Sequence, residues 1–152
     1  MSADVSSVVR DARPPAAVTR ILNPLMRAML GSRLARRMRG FALLEFSGCR
    51  SGRSYRVPVG WHDAGGQAIV VTPASWRANF ADGRSATVHH HGQVQSMTGT
   101  LVTDAVEVAR AVQTLLDEGT APRQLGLRMP SGHRITPSEI WTVNRAIIRF
   151  EG

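Results

Sequence analysis

Residues 41–72 read FALLEFSGCRSGRSYRVPVGWHDAGGQAIVVT, and this stretch decides the fold class. It opens on a short apolar run, Phe41 to Phe46, of strand-like character. Ser47-Gly48-Cys49-Arg50-Ser51-Gly52 then breaks the run with a turn-rich loop. Residues 55–62 resume as a second strand. Pro58 lacks the N–H that an interior ladder needs, so this strand lies at a sheet edge or carries a bulge there. Ala64-Gly65-Gly66 supplies a hairpin turn, and Gln67 to Thr72 returns as a third strand. Successive strands joined by such short turns pair antiparallel, because a parallel pair needs a long crossover.

The same alternation continues downstream. Residues 75–81 have room for one or two helical turns. Ala86 to His91 and Val94 to Thr103 form another hairpin about Gly92. Asp104 can cap a helix over Val106 to Glu118, with Val108, Val112, Leu115 and Leu116 on one face. Gly119 to Gly132 reads as loop. Thr136-Pro137-Ser138-Glu139 is a capping box that starts a short helix, and a last strand follows near Ala146 to Phe150. Upstream, residues 1–15 read as a flexible leader ending in Pro14-Pro15. Residues 16–40 read as a basic amphipathic helical segment, with Leu25, Met26, Met29 and Leu30 in one stripe beside Arg33, Arg36, Arg37 and Arg39. About six strands, mostly in hairpins, with a few short helices favour one mainly-β, α+β domain over 16–152. An antiparallel barrel or roll is expected rather than a doubly wound sheet.

Composition limits the function. At 152 residues and 43% hydrophobic, the chain can bury the core of one domain. A single cysteine, Cys49, excludes an internal disulfide framework and a four-cysteine zinc site. No apolar run reaches the ~18 residues of a spanning helix, and the first residues lack a signal peptide's apolar core, so a cytoplasmic protein is expected. All 19 basic residues are arginine, against 11 acids, for a net charge of +8. Such a surface draws anions, and each basic contact to a phosphate would come from a forked guanidinium. Nucleic acid is not the expected partner, because base stacking needs aromatics and the chain has only three Trp, one Tyr and four Phe. The basic segment at 20–40 can either lie on an anionic membrane surface or cover a barrel mouth.

Three segments carry the candidate chemistry. In Ser47 to Arg53, two glycines let the backbone bend so that its N–H groups converge on an anion, with Ser51, Arg50, Arg53 and Arg56 beside them. The alternative is a solvated basic loop. In Trp76-Arg77-Ala78-Asn79-Phe80, Trp76 and Asn79 share one face of a helical turn and could bound a planar heterocycle. A core tryptophan beside a capping amide is the alternative. In His89-His90-His91, the outer two face one way and the middle one the other. No acid or cysteine adjoins them in sequence to complete a metal site, so no metal is expected. There is no Gly-x-Ser-x-Gly elbow and no evident acid pair, so any enzymatic reactivity would come from a bound cofactor.

Taken in order, Ser47-Gly-Cys-Arg-Ser-Gly-Arg53, Val57-Pro-Val-Gly-Trp61, the Gly65-Gly66 hairpin, the strand Ala68 to Thr72, Trp76-x-x-Asn79-Phe80 and Thr87-Val88 before Gly92 resemble the deazaflavin-dependent nitroreductase family. The likeness covers residues 20–118. It implies a split β-barrel, related in fold to the flavin-binding pyridoxamine-phosphate oxidases, that binds coenzyme F420 through its phosphodiester. By position, it places Cys49, Arg50, Ser51 and Gly52 at the phosphate and Tyr55, Arg56, Val57 and Pro58 beside the ring system. Val71, Thr72, Pro73 and Ala74 would offer backbone N–H groups to the ring, and Ser75, Trp76 and Asn79 would close the pocket. The reaction implied is hydride transfer from reduced deazaflavin to an electron-poor acceptor such as a quinone or a nitro or conjugated compound, with no side chain acting as catalyst. A homodimer is a family expectation. An FMN-binding barrel oxidoreductase and a non-catalytic cofactor- or lipid-binding barrel are the alternatives. The sequence departs from the family at three points: Cys49 replaces the usual loop arginine, the Thr72–Trp76 segment is short and lacks the family's lysine, and Tyr55 is the only tyrosine.

Overall fold

The computed structural model describes residues 9–11 and 40–152. The amphipathic segment at 16–39, and with it the membrane contact expected of 20–40, lies outside the described residues. The strands are β1 (Arg10–Asp11), β2 (Phe41–Ser47), β3 (Ser54–Gly60), β4 (His62–Ala64), β5 (Gln67–Thr72), β6 (Arg84–His90), β7 (Gln93–Val102), β8 (Leu127–Arg128) and β9 (Ala146–Glu151). The α-helices are α1 (Ala105–Asp117) and α2 (Pro137–Val143), and 3-10 helices span Ser75–Phe80 and Pro122–Leu125. No helix among the described residues is long and apolar enough to cross a membrane.

Seven strands form one antiparallel sheet in the order β3-β2-β6-β7-β9-β5-β4. β3 and β4 stand at opposite edges of that order, yet only Trp61 separates them in the chain. One residue spans a few ångströms. The sheet therefore curls until its two edges meet, which makes an α+β split β-barrel. The reading of 55–62 as one strand is corrected here: the chain leaves one edge at Gly60 and joins the other at His62. Trp61 donates its N–H to the Gly40 carbonyl (2.9 Å) and turns its indole onto Phe150 and His90. Pro58 lies on the edge strand, as its missing donor requires.

Side chains alternate across the curled sheet. Ala42, Leu44, Phe46, Val59, Val70, Ala86, Val88, Ile148 and Phe150 point inward and pack with Phe80 into an apolar barrel core. On the outer face, Ile69 and Ile147 receive the apolar stripe of α1 (Val108, Val112 and Leu115) and Ile140 and Val143 of α2. Asp104 caps α1 by accepting from the Val106 and Glu107 N–H groups, and the Thr136–Glu139 capping box starts α2.

Two stretches read as irregular are ordered. Val9 is buried in the helical core, and Arg10–Asp11 pair with Leu127–Arg128. The stretch 119–132 holds a 3-10 helix and β8, joined by Gly126 at φ +68°, which carries Leu125 and Leu127 into the core. Arg145 ties these pieces together. Its buried guanidinium donates to the carbonyls of Val143 (2.6 Å) and Gly126 (2.7 Å) and pairs with Asp11 (3.2 Å). Carbonyls near the ends of helices thereby gain a donor.

Two stability predictions follow from this packing. A Cβ at Gly99 would sit 2.7 Å from Phe80 and 2.8 Å from Phe150, inside the barrel core. Gly99→Ala should cost about 1–3 kcal/mol by overpacking, read as a lower denaturation midpoint; an unchanged midpoint would mean that the two rings shift freely. The second concerns Glu139, whose carboxylate receives the Thr136 N–H and hydroxyl and the His133 imidazole, each at 2.9 Å. Burial alone would raise its pKa, but the bonds from His133 and Thr136 and the charge of His133 hold it below the ordinary carboxylate value. A lowered folded-state pKa gives stability that is complete above the unfolded carboxylate's pKa and is lost as pH falls through the folded one. Glu139→Gln should flatten the acid limb of the stability–pH curve and cost about 1–2 kcal/mol at neutral pH.

Candidate functional site

The β2–β3 loop closes mostly on itself. Gly48 donates to the Arg53 carbonyl (2.8 Å), Gly52 to the Gly48 carbonyl (3.0 Å), and Arg53 to the Ser51 hydroxyl (3.2 Å). Gly52 takes φ +67°, and a Cβ at Gly48 would stand 3.0 Å from the Tyr55 ring, so both glycines are needed. Cys49 donates its N–H out of the loop, to Asn79 Oδ1 (2.9 Å). The N–H groups of Arg50 and Ser51 have no hydrogen-bond partner among the described residues. The loop thus offers an anion two adjacent donors, flanked by the exposed side chains of Arg50 and Arg53.

The structure brings this loop to the Ser75–Phe80 turn, the second segment singled out by sequence. The Asn79 amide spends both ends on protein: Oδ1 on Cys49 and Nδ2 on the Trp76 carbonyl (2.8 Å). Trp76 leans on Phe46 (5.7 Å between centroids) and meets Phe80 edge-on. Phe46 in turn lies parallel to Tyr55 (5.1 Å, 7°). Tyr55, Phe46, Trp76 and Phe80 form one aromatic group at this end of the barrel, with Tyr55 and Trp76 half-buried.

Strand alternation divides the segment 55–58. Tyr55 and Val57 pack with the barrel core, whereas Arg56 stands across from Glu45 in the outward register of the β2–β3 ladder. There Arg56 Nε pairs with Glu45 Oε1 (3.1 Å). His89 Nε2 lies 2.9 Å from the same oxygen but off a hydrogen-bonding direction. Sequence proximity gave the histidines no acid; the β2–β6 register supplies Glu45, because it sets Leu43 opposite His89. His90 instead points inward onto Trp61, and His91 turns the hairpin at φ +53°. Among the described residues no three His, Cys, Asp or Glu side chains are grouped to hold a metal.

At the end of β5, Thr72 is buried while Val71 packs toward the helices. Pro73 has no N–H, and Ala74 gives its own to Thr72 Oγ1 (3.0 Å). Arg77 donates to the carbonyls of Thr72 and Asn144 (3.0 Å each) and to Asn144 Oδ1 (3.1 Å), fixing the turn to the end of α2. Burial lowers its pKa, and it remains a cation at neutral pH. β4 pairs with β5 only from Gln67 to Ile69. Beyond that, Val70–Thr72 have no strand partner on that side, and β3 packs nearby without a ladder. This is the split of the barrel, and the basic loop and the Trp76 turn stand at it. A hollow of about 510 Å³ lies between α1 and α2, lined in part by Arg77 and rimmed by the exposed Trp141.

No family model matches the chain, and no curated protein does. Among solved structures, a chain described as a domain-swapped dimer aligns at a TM-score of 0.49 and 16% identity, over 74% of this chain and 81% of its own.

The Glu45–Arg56 pair has a testable consequence. Like charges directly opposite in a ladder repel. Arg56→Glu should lower stability by about 0.5–1 kcal/mol, and adding Glu45→Arg should restore most of it. A double-mutant cycle with no coupling would show that the pair contributes nothing.

Proposed function

We propose that the protein is an F420-dependent oxidoreductase that reduces an electron-poor small molecule, of quinone, nitro or conjugated class. The observation that carries the reading is the Cys49–Asn79 hydrogen bond. It joins two motifs thirty residues apart, one suited to a phosphate and one to a planar ring, at the barrel's split. The residues suit the cofactor's parts. Two N–H groups unspent among the described residues and two exposed guanidinium groups would give a phosphodiester charge-assisted donors. The strand edge at Val70–Thr72 has backbone groups available for the polar rim of a flat heterocycle. The half-buried rings of Tyr55 and Trp76 offer it apolar surface.

When bound, reduced F420 supplies the hydride. The work of this chain is to bind, orient and exclude water. The loop would hold the anionic end, the β5 edge would meet the polar rim of the ring, and the aromatic group would exclude water. Arg77 stays outside the chemistry, since it holds the turn to α2.

Titration of the purified protein with F420 and, separately, with FMN tests the reading. Micromolar or tighter binding of F420 alone is expected, followed by turnover of a quinone or nitro acceptor. FMN binding alone would replace the reading with a flavin oxidoreductase, and F420 binding with no turnover of any acceptor would leave a binding barrel. The informative charge reversal is Arg50→Glu with Arg53→Glu, because Arg56 is engaged by Glu45. That pair should weaken F420 binding by about 1–3 kcal/mol while leaving the unfolding midpoint close to wild type.

A further inference from the structure

We infer that Asn79 is a positioning residue, a latch that sets the conformation of the 48–53 loop and thereby its affinity for an anion. This rests on the function proposed above for the loop, and it gives Asn79 a part different from touching the cofactor.

The geometry leaves the amide little else to do. Oδ1 takes the Cys49 N–H at 2.9 Å, and Nδ2 gives to the Trp76 carbonyl at 2.8 Å. A side chain held at both ends works as a strut. Its near end stands on the Ser75–Phe80 helix, which is anchored by Phe80 in the barrel core and by Arg77 on Thr72 and Asn144. Its far end grips the loop at the residue just before the two unspent donors of Arg50 and Ser51. Otherwise the loop is closed by its own bonds, from Gly48 to Arg53 and Gly52 to Gly48, which shape it but do not aim it. The Cys49–Asn79 bond is its side-chain tie to the turn. Two neighbouring N–H groups bind an anion well only if both point at it before it arrives, since ordering them afterwards subtracts from the affinity. The Trp76 carbonyl at the strut's near end further links the loop's aim to the position of the indole.

The test uses three variants and two readouts. Asn79→Ala removes both bonds; Asn79→Leu also removes both but keeps the side-chain volume, so it serves if the alanine variant does not fold. Asn79→Asp keeps the acceptor for Cys49 and is the rescue. Amide hydrogen exchange is followed at Cys49, with Leu44 and Val88 as core references. Exchange at Cys49 should accelerate at least about tenfold in Asn79→Ala or Asn79→Leu, stay within about threefold of wild type in Asn79→Asp, and leave the core references unchanged. F420 affinity should fall at least about tenfold in the same two variants. Unchanged exchange at Cys49 overturns the latch, as does equal acceleration at Cys49 and the core amides, which would mean general loosening. Faster exchange with F420 affinity within about threefold of wild type overturns the positioning role. Should wild-type protein bind no F420, the function proposed above fails, and the exchange pattern with inorganic phosphate as the titrant decides the latch by the same two criteria.

Discussion

One covalent constraint governs the architecture: the edges of a seven-stranded sheet are neighbours in the chain. With only Trp61 between β3 and β4, the sheet cannot stay open. Closure then creates two problems. The interior must be filled, and the edges must meet without a full ladder, because β3 carries Pro58 and β4 is three residues long. The first is met by Phe46, Phe80, Phe150 and Trp61, whose rings contact one another in sequence across the barrel, with Gly99 as the gap that admits two of them. The second is never met completely. Past Ile69 the β5 edge loses its partner, and a split remains at the end where the β2–β3 loop and the Ser75–Phe80 turn converge. The candidate site is therefore a by-product of how the barrel closes.

The elements were legible where local chemistry determines them. Hairpin glycines, the Asp104 cap and the Thr136–Glu139 box each act within four residues, and each stands where the sequence reading put it. The break at Trp61 was not legible, because residues 55–62 alternate as one strand would; only the topology shows that the chain changes edges there. The stretch Gly119 to Gly132 reads as loop, yet within it Pro122 starts and Gly126 stops one 3-10 turn. Loop and aromatic turn were each readable as candidates. Their meeting rests on Asn79, and nothing in a single sequence says that an amide at 79 will accept from an N–H at 49.

The charge count also needs the structure before it can be used. A net charge of +8 suggests a broad basic surface, but the arginines divide by task. Arg145 is buried and donates to carbonyls near the ends of helices, Arg77 braces the turn against α2, and Arg56 is paired across the ladder with Glu45. A guanidinium suits the first two places, since a planar fork can serve several carbonyls at once, which an ammonium on a flexible stem does less well. Of those nearest the split, Arg50 and Arg53 retain exposed side chains with no such employment among the described residues.

That division bears on how the loop would select a ligand. Exposed guanidinium groups act through a screened field, which fades beyond about 8–10 Å at ordinary salt and hardly distinguishes one anion from another. The two N–H groups at Arg50 and Ser51 are different: their directions are fixed by the backbone, and the backbone is fixed by the Gly48–Arg53 closure and by Asn79. Affinity at long range then belongs to the arginines and discrimination to the amides. Cys49 fits this division. With a thiol rather than a forked side chain, that position offers an anion no guanidinium donor, and its N–H is tied to Asn79. Without a guanidinium at 49 the loop still has a defined geometry, and a defined geometry is what the hydride transfer proposed above would require.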